Sequence, residues 1–196
     1  MVLEAKSLAC ERGGRLIFKD LNFIITSGEA VELRGPNGAG KSSLLRLLAG
    51  LNQPAAGALA FMGVSTELNE AAHYIGHNEA VKPALTVRQN LEFWSRFLGS
   101  EGRAALSPFR LEQLADDEAR LLSEGQRRRL ALSRLASVLR PVWLLDEPTV
   151  GLDQAALIDL HREMEAHVAS GGVIIAATHA ELGLKASRVI EIARAV

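Results

Sequence analysis

The sequence predicts an α/β fold: a mostly parallel sheet with an antiparallel β subdomain and an inserted helical subdomain. Two runs, VWLLDE at 142–147 and GVIIAATH at 172–179, are continuously apolar, as strands covered on both faces by helices must be. QAALIDLHREMEAHVAS between them has the pattern of a crossover helix, the connection a parallel pair requires. By contrast, LIFKDLNFII at 16–25 alternates apolar with polar until its last residues, the pattern of a half-buried antiparallel strand.

The other elements follow in chain order. AVELRG at 30–35 reads as a short strand running into a glycine-rich loop. From Ser42, SSLLRLLAGL spaces its leucines for a helix, and Gly50 suits the left-handed end of that helix. GALAFMG at 57–63 is a further strand. Residues 85–120 change character: LTVRQNLEFWSRFLG and LEQLADDEARLL read as helices around a Gly/Ser/Pro break, with no strand between them. This places a helical subdomain at about 78–125 inside a single domain of 1–196. Phe93, Trp94 and Phe97 share one helical stripe, expected to pack inside that subdomain or, in part, to rim a groove for a partner's helix.

Composition bounds the possibilities. With 196 residues, 48% hydrophobic and 23% charged, the chain can bury a domain-sized core. A formal net charge of −1, with the signs interspersed, provides no bulk attraction to nucleic acid or an acidic membrane. Cys10 is alone in the sequence, which excludes an internal disulfide and a multi-cysteine metal site and fits a reducing compartment. No stretch approaches the ~18 apolar residues of a spanning helix, so a cytoplasmic protein is expected.

The chemistry begins at GPNGAGKSS, residues 35–43. Gly35, Pro36, Asn37, Gly38, Ala39, Gly40, Lys41, Ser42 and Ser43 stand between a predicted strand and a predicted helix in a phosphate-loop pattern, which makes the sheet the core of a P-loop nucleotide hydrolase or transferase. Backbone N–H groups of such a loop wrap β- and γ-phosphate oxygens, and the helix adds the positive end of its dipole. Lys41 is expected to reach the terminal phosphates and Ser42 to ligate Mg²⁺. Kinases, GTPases, helicases and transport ATPases all remain open at this point. WLLDEP narrows them. Asp146, ending a buried strand, can hold the Mg²⁺ through water, and Glu147 can polarise an attacking water, a pairing that favours hydrolysis over transfer. His179, in ATH, closes another apolar run at the carboxyl end of a parallel strand, where such sheets bind ligands.

A second serine-and-glycine turn opens a helix in LLSEGQRRRL, residues 121–130. Ser123 followed by Gln126 is a capping box, and Ser123 with Gly125 presents a hydroxyl and N–H groups: an anion site with no anion of its own. Arg127, Arg128 and Arg129, with Arg134 and Arg140, read as a solvated basic flank, since no aromatics interleave them as a strand-binding surface requires.

In these motifs the chain resembles the ATP-binding cassette (ABC) ATPase family over nearly its full length. GPNGAGKS looks like the Walker A loop, VWLLDE like Walker B with Glu147 as catalytic base, LSEGQ like the signature motif, GLD at 151–153 like the D-loop and TH like the switch histidine. The resemblance implies ATP and Mg²⁺ as ligands and a head-to-tail pair of cassettes, most simply a homodimer. Ser123, Gly125 and Gln126 of one would cover the γ-phosphate held by the other, with Asp153 carrying closure across the interface. Two positions depart from the family pattern. Arg12, in CERGGR, stands where the family supplies an aromatic to adenine. His77, in YIGHNEAV, replaces a glutamine that meets the metal and the attacking water, so turnover is expected to fall as His77 protonates.

Two classes of work are compatible with such a cassette. One is the motor subunit of a membrane transporter, its helical subdomain and residues 77–92 gripping integral membrane subunits. The other is a soluble cassette acting on ribosomes or nucleic acid, but those relatives usually carry two cassettes in one chain or a long coiled-coil insertion, and this chain has neither. LACERGGRLIF, GHNEAVKPALTVRQNLEFW and RPVWLLDEP are similar to the ATP-binding subunits of haem exporters in bacterial cytochrome c maturation. That likeness implies a peripheral protein on the cytoplasmic face of the inner membrane, with integral membrane partners, no nucleic acid and no direct contact with haem.

Overall fold

A computed structural model describes residues 1–179, 181–185 and 187–194. The elements are β1 (Val2–Arg12), β2 (Arg15–Thr26), β3 (Ala30–Arg34), α1 (Lys41–Leu48), β4 (Ala56–Met62), α2 (Leu68–Ala71), β5 (Ala72–Ile75), α3 (Val87–Phe97), α4 (Glu124–Ser137), β6 (Val142–Asp146), α5 (Gln154–Ala169), β7 (Val173–Ala177) and β8 (Ser187–Glu191). The chain forms two compact units. The first comprises Met1–Gly76, Pro141–Pro148 and Glu165–Val196; the second comprises His77–Arg140 and Thr149–Met164.

Both sheets belong to the first unit. A parallel sheet has the order β5-β6-β7-β3-β8, and an antiparallel sheet the order β2-β1-β4. Every residue of β6 and β7 is buried, which is why their sequences are apolar without alternation. Leu44, Leu45, Leu47 and Leu48 of α1 join Leu33, Leu144 and Ile175 in the core, each leucine contributing on the order of 1.5–3 kcal/mol of burial. Register then determines where the chemistry can sit. Leu33 of β3 pairs with Ala177 of β7, and Ala177 pairs with Asp146 of β6, so three strands end side by side in one row.

Three strands carried too little local signal to be anticipated. β1 is broken by Ser7 at φ 46 and by register shifts against β2, β5 has only four residues, and β8 is a partly exposed edge strand.

In the second unit α3 packs on α4. The expected helix at LEQLADDEARLL does not form; there are 3-10 turns at Glu112–Leu114 and Ala119–Leu121 instead. The backbone groups that an α-helix would pair internally bond outward. Ala115 O and Asp117 O accept from Arg88 N and Val87 N, while Ala119 N and Arg120 N donate to Leu85 O and Pro83 O. Tertiary pairing thereby overrides helix propensity.

Of two further expectations, one holds in part and the other fails. The aromatic stripe is only partly enclosed: the buried face of α3 is Val87, Asn90, Leu91 and Ser95, Phe93 and Trp94 are half-buried, and Phe97 is 70% exposed, so that Phe93 and Phe97 line a shallow groove with Leu85, Gln89, Glu92 and Arg96. Nor is the basic run a solvated flank. Arg128 and Arg134 are only 5% and 6% exposed, Arg134 lies over the Trp94 ring at 4.8 Å, and Arg127 stands 3.8 Å from Glu79. Burial and then Arg128 pull Arg134 down to about 10. Burial likewise raises Glu79 despite the arginines Arg128, Arg127 and Arg134 around it.

Candidate functional site

The loop between β3 and α1 leaves no room for side chains at its two ends. Gly35 lies at φ 146, and a Cβ there would collide with the Ile192 carbonyl oxygen. Gly40 lies at φ 107, and a Cβ there would fall 2.6 Å from Ile17 Cγ2 and 2.8 Å from Phe18 Cδ1. Gly40 is also the N-cap of α1, and no side chain caps the helix, so no capping side-chain oxygen claims its first N–H groups. Lys41, 8% exposed, reaches back over the loop and donates from Nζ to Gly35 O at 2.8 Å and Pro36 O at 3.5 Å. An uncapped helix start beneath an ammonium group is a seat for a polyanion.

The register row brings the acids to this seat. Ser42 Oγ donates to Asp146 Oδ1 at 3.0 Å, joining the first turn of α1 to the end of β6. A hydroxyl and one carboxylate fit Mg²⁺, which is commonly held by one or two carboxylates together with substrate phosphates and water. Among the described residues no cluster of three or more His, Cys, Asp and Glu offers a self-sufficient metal cage. The Asp146 charge also extends to Tyr74 on β5, whose hydroxyl is pushed up by burial and then by Asp146.

Glu147 takes φ 47, a conformation that costs a non-glycine residue about 1 kcal/mol or more. Its N–H still makes the next sheet bond, to Ala177 O at 2.8 Å, so the kink turns the side chain without breaking the strand end. His179 lies two residues past β7, beyond the strand that was expected to include it. Its Nε2 is 3.1 Å from Asn37 Oδ1, where the ring N–H donates to the amide oxygen, and 3.7 Å from Glu147 Oε1. Lys41, Ser42, Asp146, Glu147, His179 and Asn37 therefore converge. Arg194, which no motif flagged, donates to the backbone carbonyl of Asn37.

The second unit holds the other predicted turn. Ser123 Oγ accepts from Gln126 N at 3.2 Å, and Ser123 N donates to Gln126 Oε1 at 2.8 Å, completing the capping box. A Cβ on Gly125 would lie 2.9 Å from Gly151 O, so this turn and the segment leading into α5 are in close contact. Asp153 Oδ1 accepts from Ala156 N at 2.8 Å and caps α5. Of the remaining candidates, Pro36, Gly38, Ala39 and Ser43 lie within the loop and the first turn of α1. Arg12 is exposed at the end of β1, and His77 is exposed in a bend two residues past β5.

Residues 18–150 match the family described as ABC transporter. Over 191 residues the chain is 51% identical to the cytochrome c biogenesis ATP-binding export protein CcmA of Rhodopseudomonas palustris (strain BisB5), a match covering 95% of this chain and 96% of that protein. Among solved structures, the ATP-binding subunit of an ABC transporter superposes with a TM-score of 0.81 at 27% identity, covering 91% of this chain and 80% of that one. An ATP-binding cassette described as a dimer in a post-hydrolysis state with ADP and phosphate shares the fold, with a TM-score of 0.82 at 24% identity over 97% of this chain and 94% of that one.

Proposed function

Because the chain belongs to the ABC transporter family and is an ATP-hydrolysing subunit, we propose that it drives an export step of cytochrome c biogenesis, with haem as the cargo of its membrane partners. The observation that carries the hydrolytic part is the Ser42–Asp146 contact at 3.0 Å, with Glu147 and His179 beside it. The similarity to an export protein of cytochrome c biogenesis supports the transport step.

In this reading the loop 35–43 wraps the β- and γ-phosphates of ATP, and Lys41 Nζ turns from its loop carbonyls to the terminal phosphates. Ser42 and Asp146 would hold Mg²⁺, and His77 is the further candidate ligand for that ion. The ion, when bound, neutralises charge on the phosphate oxygens. Glu147 orients the attacking water and accepts its proton, and His179, steadied by Asn37, fixes water and γ-phosphate together. Arg12 meets the nucleoside. A second copy closes over the site: Ser123 accepts from Gln126 N yet keeps its own O–H to donate to the γ-phosphate, alongside Gly125. Gln126, whose side chain closes the capping box, holds Ser123 in that pose, and Asp153 carries closure across the interface.

The helical subdomain of about 78–125 transmits closure to integral membrane subunits at the cytoplasmic face of the bacterial inner membrane. Among the described residues no helix is long and apolar enough to cross a membrane. No residue of this chain is assigned a contact with haem or nucleic acid.

The test is Glu147→Gln. It is expected to bind ATP, to lose turnover by about 10²-fold or more, and to accumulate an ATP-stabilised dimer on size exclusion. A variant that stays monomeric at saturating ATP would sink the shared site. Purification of the intact chain from native membranes in mild detergent is expected to bring integral membrane proteins of cytochrome c biogenesis with it, and a clean preparation without them would sink the transport role.

A further inference from the structure

Glu32 is a carboxylate in a place built for apolar side chains. β3 lies between β7 and β8 in the parallel sheet, its neighbours Val31 and Leu33 are core residues, and Glu32 itself is 2% exposed. A carboxylate so deeply buried is costly unless its oxygens are fully used. Both are used. Oε1 accepts from Leu182 N at 2.9 Å, across 150 positions of the chain, and Oε2 accepts from Arg34 Nε at 3.1 Å and Nη2 at 2.6 Å. Arg34 Nη2 also stands 3.8 Å from Glu181 Oε1, so the ion pair reaches the same distant segment.

The segment that Glu32 holds is the one that follows His179. The His179 side chain is 59% exposed, and its Nε2 has Asn37 Oδ1 at 3.1 Å and Glu147 Oε1 at 3.7 Å, so close packing does not set where the ring lies. Its backbone must do so. On the near side Thr178 N donates to Leu33 O at 3.4 Å, and on the far side Leu182 N donates to Glu32. Leu33 and Glu32 are adjacent in β3, so one strand clamps the chain both before and after the histidine. That strand also runs through Arg34 into the loop that carries Asn37, the partner of the ring. Leu182 and Leu184 are buried as well, but apolar burial is not directional, whereas a hydrogen bond is. The carboxylate therefore fixes where the segment lies along β3.

We propose that Glu32 is a positioning residue for ATP hydrolysis: through Leu182 N it fixes the backbone after His179 and so sets the imidazole against Glu147 and the γ-phosphate. The proposal rests on the role proposed for His179 at the γ-phosphate. Glu32 is buried and acts only through that segment, so its effect falls on turnover and not on nucleotide binding. A displacement of about 1 Å in a group that orients the reacting atoms is enough to cost on the order of 10²-fold in rate.

Steady-state ATP hydrolysis by the full chain tests this. Glu32→Leu, which removes the acceptor, is expected to lower kcat by about tenfold or more while KM for ATP stays within about threefold. Glu32→Gln keeps an oxygen for Leu182 N and is expected to recover most of that loss. In a His179→Ala background, Glu32→Leu is expected to cost less than about twofold more, because the group it positions is gone. Full additivity in the double variant, or a raised KM with kcat unchanged, overturns the proposal, since either means a general loosening of the sheet or the loop. Glu32→Asp covers the case in which Glu32→Leu does not fold. It keeps the charge but shortens the reach, so kcat is expected to fall only where His179 is present, and a wild-type kcat in Glu32→Asp overturns the proposal. His179→Ala alone separates this failure from a wider one. If His179→Ala hydrolyses ATP as wild type does, the role of His179 in the proposed function fails. If His179→Ala is slow while Glu32→Leu turns over like wild type, only the positioning role of Glu32 fails.

Discussion

Two helices of this protein open on a turn built from serine and glycine, and they open in opposite ways. α1 starts from Gly40 in a left-handed conformation with no side-chain cap. α4 starts from Ser123 in an extended conformation and closes a reciprocal capping box with Gln126, just as α3 does with Thr86 and Gln89. The open start lies where the ends of β3, β6 and β7 line up, beneath the Lys41 ammonium. The closed start satisfies its own donors and has an O–H left over. An open start needs a ligand to complete it and so binds one outright. A closed start is stable alone and can act only on an anion that another site already holds, which is the division of labour proposed between the two copies.

The largest expected effect falls on the open start. Lys41→Ala should lower phosphate release by about 10³-fold while moving the melting temperature little, because the partners of Nζ are carbonyls of its own loop. Turnover within tenfold of wild type would mean that this helix start is not the phosphate seat.

Acid tests whether loss of the open site can be told from loss of the fold around it. His167 on α5 stacks on Trp143 of β6 at 3.9 Å, three residues before Asp146, and burial lowers it from 6.5 to about 4 against a smaller opposing effect of the Val173 and Pro141 backbone. The unfolded chain takes up this proton below pH 6.5, but the native chain does not until about 4. The contribution is therefore complete above 6.5 and is lost as pH falls toward 4, by at most about 3 kcal/mol. Thermal melts across that range should show the slope, and His167→Gln should be less stable at neutral pH yet lack it. An identical slope in His167→Gln would assign the acid sensitivity elsewhere.

The smallest effect compares the two closed starts. Ser123→Ala and Thr86→Ala should each cost about 1 kcal/mol of stability in denaturant melts. Only Ser123→Ala should also lower turnover, by about tenfold or more. Equal losses of turnover would erase the distinction between a cap that merely ends a helix and one that also meets a nucleotide.

Much of this contrast could be read from residue order. The glycines of 35–40, the apolar runs of β6 and β7 and the Ser123–Gln126 spacing each carry their signal within a few positions, and the structure forms the corresponding loop, strands and cap. The segment 111–122 misled because its helical pattern is local, whereas the bonds that unwind it run to residues 83–88. Arg128 and Arg134 misled because an arginine's charge is visible in sequence and its burial is not.

The sequence by itself determined the fold class, the glycine-rich loop and the placing of two acids at the end of β6, because backbone conformation, capping and apolar periodicity act between near neighbours. Only the tertiary structure decided which groups meet: Ser42 with Asp146 across 104 positions, His179 with Asn37 across 142, and Arg194 with the Asn37 carbonyl. Those contacts are products of strand order and register, which arise when distant segments share one core, and no short window of residues encodes them.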